Sequence, residues 1–292
     1  MQKIIYVPPE GDINRPETCA QLSLSPPYII GSVTGTGGVE TAVLSSSVPG
    51  VNGVYVQAIR AESREIKCYV HVKGDSRADM YRNRDLLISR LAPRETPGTL
   101  YYYNDYTVRR IQAIPTGSPS FTDRIHHYNR AELTFFCPSP YWESLTEKSG
   151  YLAYLDTGFE FPFAFNQTIE FAAIANQAAI VNEGSAATPV RVSIRGPAAH
   201  PAVVNQTTGE RIGLLKNLEP GESLHIGTGH GENRYVTILH PDGTKENAYH
   251  YIDPRSEFFQ LVPGENLLKY ESEDESQQTQ INIFYRELYA GV

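Results

Sequence analysis

Polar and apolar residues alternate over Arg64–Lys73, placing Ile66, Cys68, Val70 and Val72 on one side of an extended segment and Lys67, Tyr69, His71 and Lys73 on the other. A period of two predicts a half-buried strand. Gly74 closes it, and Asp75 or Ser76 can cap the helix that follows, whose apolar positions Met80, Tyr81, Leu87, Ile88 and Leu91 continue until Pro93 forbids another turn. The other helix face carries Arg77, Asp79, Arg82, Arg84, Asp85 and Arg90, a mixed-sign set suited to water, with pairing to a neighbouring subunit as the alternative. Residues 100–103 and 106–114 read as two strands joined by an Asn104-Asp105 turn. His126 and His127 are strand neighbours that point to opposite faces and so do not share a metal; both read as structural. The stretch from Arg130 to Trp142 then drives a strand into a stiff corner. There Pro138 and Pro140 end the ladder, while Tyr141 and Trp142, the single tryptophan, require buried surface. We read this corner as the seam between two domains, with Tyr141 and Trp142 packed between them; stacking against a ligand is the alternative.

Residues 29–56 are poor in charge and rich in Gly, Ser, Thr and Val, which suits a long hairpin arm, although composition alone equally allows a flexible loop. An arm with so few charges exposes edges that aggregate unless a partner covers them, so Val39, Val43 and Leu44 are the candidate subunit-contact residues. In the second half, Phe159, Phe161, Phe163 and Phe165 recur at every second position, predicting one buried sheet face rather than an exposed aromatic sugar platform. Short runs at 180–184, 190–196, 202–205, 211–218, 222–226 and 235–239 are separated by turn residues at the spacing of an antiparallel sandwich. The glycine-rich 227–232 stretch lacks the Lys-Ser/Thr of a phosphate loop and reads as a hairpin connection. His225 and His230 with Glu232 or Asp242 make a ligand-poor metal candidate on flexible glycines, and the acidic run from Glu271 to Ser276 reads as a solvated hairpin tip.

With 292 residues, 40% of them hydrophobic, the chain can bury two cores of the usual size of about 150 residues each. Gly 23, Pro 20 and Tyr 19 against Met 2 favour turns and half-buried strands, hence a mainly β protein. A net charge of −8 argues against a nucleic-acid-binding surface. Cys19, Cys68 and Cys137 are odd in number and form no CxxC pair, so they are expected as buried thiols. The opening Met-Gln-Lys-Ile-Ile-Tyr-Val-Pro has too short an apolar run for a signal peptide and no segment approaches a membrane span, so synthesis in a cytoplasm and a soluble product are expected. There is no nucleophile elbow, HExxH helix, Cys/His arrangement or phosphate loop, and we expect no catalytic residue, metal or cofactor.

Several motifs recur together. Gly31-Ser32, a turn at Gly53, Arg64-Glu-Ile, a helix ending at Leu91-Ala-Pro93, Gly98-Thr-Leu100 and the Pro-Ser-Pro-Tyr-Trp corner occur in the first half. Asn182-Glu-Gly184 with Pro189, Ile194-Arg-Gly196, Asn205 with Gly209-Glu210, Gly221-Glu-Ser-Leu-His-Ile226, Phe258-Phe-Gln-Leu-Val-Pro-Gly264 leading to Asn266, and residues 285–292 follow in the second. In this order, over nearly the whole chain, they resemble the distal tail proteins of long-tailed bacteriophages. The resemblance implies an N-terminal ring-forming domain over 1–145, a β-sandwich or split barrel with one helix and a hairpin arm. It also implies a galectin-like antiparallel β-sandwich over 146–292. It further implies a structural, non-enzymatic role in the virion. A homo-hexameric hub would join the tail tube protein to tail-tip or receptor-binding proteins, with DNA passing through unbound and no membrane insertion. Galectin sugar-binding residues do not transfer, since the second half lacks a His-x-Asn-Pro-Arg motif; a carbohydrate-binding module for host-surface adhesion is the alternative function.

Overall fold

The computed structural model describes residues 2–153, 177–273 and 279–292. They form two compact units, Met1–Leu145 together with Leu288–Val292, and Thr146–Glu287. The predicted run of Phe159, Phe161, Phe163 and Phe165 lies outside the described residues, as does part of the acidic run after Glu273.

The first unit is built from β1 (Lys3–Val7), β2 (Ala20–Leu22), β3 (Tyr28–Thr34), β4 (Thr41–Ser46), β5 (Tyr55–Ala61), β6 (Arg64–Lys73), helix α1 (Arg77–Arg90), β7 (Gly98–Tyr103), β8 (Val108–Ile125), β9 (Tyr128–Cys137) and β10 (Trp142–Ser144). Its main sheet runs β2-β1-β7-β8-β9-β6-β3, with β10 against β8. The predicted parity of β6 holds: Ile66, Cys68, Val70 and Val72 are fully buried. Helix α1 is capped by Ser76, whose Oγ accepts a hydrogen bond from the Asp79 amide at 3.2 Å. Gly74 is obligatory at this junction, because a Cβ there would stand 2.2 Å from the Met80 nitrogen. The helix buries a narrower stripe than its apolar pattern predicts. Met80, Leu87 and Leu91 are inside, whereas Tyr81 and Ile88 are exposed, because Asn83 and Arg84 share the inner side. Asn83 donates to the Lys73 carbonyl, and Arg84 lies over the Phe121 ring.

The predicted hairpin forms with a longer turn. Asn104 Oδ1 accepts from the amides of Tyr106 and Thr107, which leaves Tyr106 at a turn tip rather than in a strand. His126 and His127 make the tight turn between β8 and β9, with His126 at φ 52°, instead of extending a strand. The expected arm over 29–56 is displaced: residues 28–34 join the main sheet beside β6, and the separate hairpin is β4 with β5. All three cysteines are buried and unpaired.

The second unit contains β11 (Lys148–Ala153), β12 (Gln177–Asn182), β13 (Thr188–Arg195), β14 (Ala202–Asn205), β15 (Glu210–Gly213), β16 (Ser223–Thr228), β17 (Arg234–Leu239), β18 (Lys245–Asn247), β19 (Gln260–Leu261), β20 (Gly264–Glu271) and β21 (Gln280–Tyr285). Among the described residues one sheet runs β11-β21-β13-β16-β17-β18 and the other β12-β20-β14-β15, and inward residues of both share one core around Val192, Leu224, Phe259, Leu268 and Ile283. The glycine-rich 227–232 stretch connects β16 to β17, as its composition predicts. The predicted strand over 211–218 stops at Gly213, where Ser256 Oγ and the Asp253 amide take over its backbone groups.

The chain then returns. β22 (Leu288–Tyr289) pairs with β10, so the second domain, expected to run through residue 292, gives up its last five residues to the first unit. The same pairing corrects the expected interdomain role of Trp142. It is 0% exposed within the first unit's own core, 5.9 Å from the Tyr102 ring, and directly opposite Tyr289 in the ladder. Tyr141 is half-buried beside it, its amide donating to Ser139 Oγ. Full burial also removes the ligand-stacking alternative for Trp142.

Trp142→Ala is expected to cost about 3–5 kcal/mol in denaturant unfolding, the usual range for emptying a site of this size. Trp142→Phe should cost much less, because the ring stays filled and the indole Nε1, which has no acceptor among the described residues, is removed.

Candidate assembly surface

Strands β4 and β5 form a two-stranded ribbon that no other strand joins among the described residues. From Thr41 to Ile59 there is no charged side chain. Across the ladder Val43 lies opposite Ile59 and Leu44 opposite Ala58, one pair on each face, and both faces are exposed: Val43 54%, Leu44 60%, Ile59 68%. Val54, Tyr55 and Val56 add further exposed apolar surface near the tip, where Gly50 and Gly53 take positive φ to turn the chain. An antiparallel sheet ordinarily hides one face. This one hides neither, and a lone hairpin is marginal in water. Of the residues predicted for contact, Val43 and Leu44 lie in β4, whereas half-buried Val39 sits at the entrance to the arm, just before β4.

The base of the arm is tied down where the ribbon is not. The Glu62 amide donates to the Glu40 carbonyl at 2.9 Å, closing the ladder. Arg64 has the parity of the buried face of β6 and is 6% exposed. Its guanidinium donates to four backbone carbonyls: Gly35 at 2.6 Å and Gly37 at 2.7 Å in the bend that leads into the arm, Pro140 at 2.9 Å in the proline corner, and Ala290 at 2.5 Å in the returning segment. Burial pulls the Arg64 pKa down from its ordinary value. Gly35 takes φ +83° and packs so closely that a Cβ would fall 1.9 Å from the Glu65 carbonyl oxygen. The sequence marks Arg64 as the start of a strand and as part of the Arg64-Glu-Ile motif, without a role; the one signal for that role is a charge at an inward position of the alternation.

No group of three or more His, Cys, Asp and Glu side chains is placed to hold a metal among the described residues, and His225, His230, Glu232 and Asp242 do not converge. No helix among the described residues is long and apolar enough to cross a membrane.

These features define a two-domain, mainly β protein with an exposed, uncharged ribbon. Residues 17–137 match the phage tail protein RIFT-related domain, and residues 183–289 match the siphovirus-type tail component, C-terminal domain. The chain belongs to the siphovirus distal tail protein family. Its fold is that of SPP1 Dit (gp 19.1), described as a paradigm of the hub adsorption apparatus in phages infecting Gram-positive hosts, at a TM-score of 0.67 and 15% identity over 99% of each chain. It is also similar to a chain of the phage P2 baseplate in its activated conformation with Ca, at a TM-score of 0.52 and 10% identity, over 98% of this chain and 97% of that one. No curated protein matches the chain in sequence.

Next to Arg64, burial pushes the Cys137 thiol up to about 12 although the guanidinium opposes the shift, and burial does the same to Cys68. Both thiols should therefore resist alkylation in the folded protein at pH 8 and react once it is unfolded. An acid with a raised folded pKa stabilises the fold below its unfolded pKa, near 9 for a thiol. Stability should accordingly be unaffected by these groups below pH 9 and decline as pH rises from there toward about 12, as denaturant titration across that window would show.

Proposed function

We propose that copies of this chain close into a six-membered ring at the distal end of a phage tail tube, joining the tube to tip or receptor-binding proteins around a channel for DNA. The exposed, uncharged ribbon carries this reading. Val43, Leu44 and Ile59 leave apolar surface on both faces, which a neighbouring chain can cover, and a ring needs two unlike surfaces on each copy. Val39 at the ribbon's entrance belongs to the same contact. Six copies at −8 each would bring −48, a charge that lets a polyanion pass without the cation contacts that hold it. In this reading the protein is a structural part of the virion, made in the bacterial cytoplasm, with no catalytic step.

A second reading, carbohydrate binding by the second unit, is favoured by one polar row across its larger sheet: Tyr151, Asn282, Ser193, His225, Thr237 and Asn247 are cross-strand neighbours in register. Glycan-array binding lost on Tyr151→Ala would support it, and an array without signal would remove it.

Light scattering on the purified protein should give six times the mass of one chain, with hollow six-fold particles in negative stain. The pair Val43→Glu and Leu44→Glu should reduce it to a monomer while changing unfolding free energy by less than about 0.5 kcal/mol per site, as expected for exposed positions. A strict monomer at high concentration in the unaltered protein would overturn the ring.

A further inference from the structure

We propose that residues 288–292 are a clasp, an intramolecular ligand of the first unit, and that its docking sets the base of the hairpin arm. Four independent contacts converge there. Leu288 and Tyr289 add a strand to β10, opposite Glu143 and Trp142. Arg109 holds the segment twice, donating to the Gly291 carbonyl while its guanidinium lies 3.5 Å over the Tyr289 ring. The Val292 amide donates to the Thr36 carbonyl at 3.1 Å. Arg64 joins the Ala290 carbonyl to those of Gly35 and Gly37 through one guanidinium.

Thr36 and Gly37 lie in the bend that leads from β3 into the arm, so the segment touches the arm's entrance and not only the sheet. The fit at this crossing is close. A Cβ on Gly291 would lie 2.8 Å from the Gly37 carbonyl oxygen and 3.2 Å from that of Thr36, backbone atoms that cannot swing aside as a side chain can. Tyr289 and Val292 also pack against the first core, which gives the segment apolar anchorage beyond its hydrogen bonds.

The order of the chain gives this arrangement a consequence. The clasp follows the whole second unit in sequence, so the arm's base acquires its final ties only after Thr146–Glu287 has been made. Before then Arg64 lacks one of its four acceptors and the Thr36 carbonyl lacks its amide. An incomplete chain therefore displays its sticky ribbon on a loose base rather than in the orientation used for contact.

Hydrogen exchange by mass spectrometry on three proteins tests this: the full chain, a chain stopped after Glu287, and Gly291→Val, which wedges the crossing while leaving both arginines in place. Leu44→Glu is added to each so that contact between copies does not mask the arm, which also keeps the outcome independent of the ring. Amides of 41–62 should exchange at least tenfold faster in both altered proteins, with β6 and the second unit unchanged. Should the shortened chain fail to fold, Gly291→Val alone decides. Unchanged arm protection in the altered proteins would overturn the proposal, and so would equal loss across the first sheet, which would make the segment a general core element and not a clasp.

Discussion

A single buried guanidinium organises the first domain. Arg64 sits on the apolar side of β6 and answers four carbonyls from three stretches of chain. Taking a charge out of water costs several kcal/mol unless hydrogen bonds replace the lost hydration. Here the acceptors are all neutral backbone oxygens, which replace the water that the guanidinium gives up. Lysine could not substitute, since its three donors radiate from one point, whereas the planar fork of arginine spans partners on opposite sides. The arm's entrance, the proline corner and the returning segment are held in one geometry because each needs the same side chain.

That rigidity at the base contrasts with the ribbon above it. A hairpin with two wet apolar faces gains nothing from its own core, so its strands persist through cross-strand bonds and the anchorage at Gly35, Gly37 and Glu62. Such a surface is an aggregation hazard in a monomer and an asset in an assembly. A stiff base with a sticky tip suits a part that must be offered to a neighbour in a fixed direction. The second domain follows the opposite plan: its apolar side chains face inward from two sheets, and its polar residues line the outside. The proposed ring would use this division, with the ribbon of the first domain as its surface for assembly and the second domain as a sandwich closed on its own core.

Much of this was legible in the residues because it depends on neighbours in sequence. The parity of β6, the Ser76 cap, the Asn104 turn and the alternating strands of the sandwich are set by periods of two and by side chains bonding to adjacent backbone. The displaced arm was misplaced because glycine and valine serve equally in a free ribbon and in the edge strand β3; only pairing with β6 separates them. The apolar spacing places Tyr81 and Ile88 inside, but Asn83 reaches the Lys73 carbonyl and takes the inner face, a bond back to β6 that hydrophobic spacing does not encode.

What the sequence determined alone, then, was local: which stretches alternate, where the helix starts and stops, and a family resemblance spread along both halves. The tertiary structure decided that Trp142 lies against Tyr289 and that Arg64 meets Ala290, 226 residues away. The reason is physical. A backbone carbonyl is present at every residue, so the sequence carries no mark of which ones a buried arginine will find; only the folded path of the chain brings those four together.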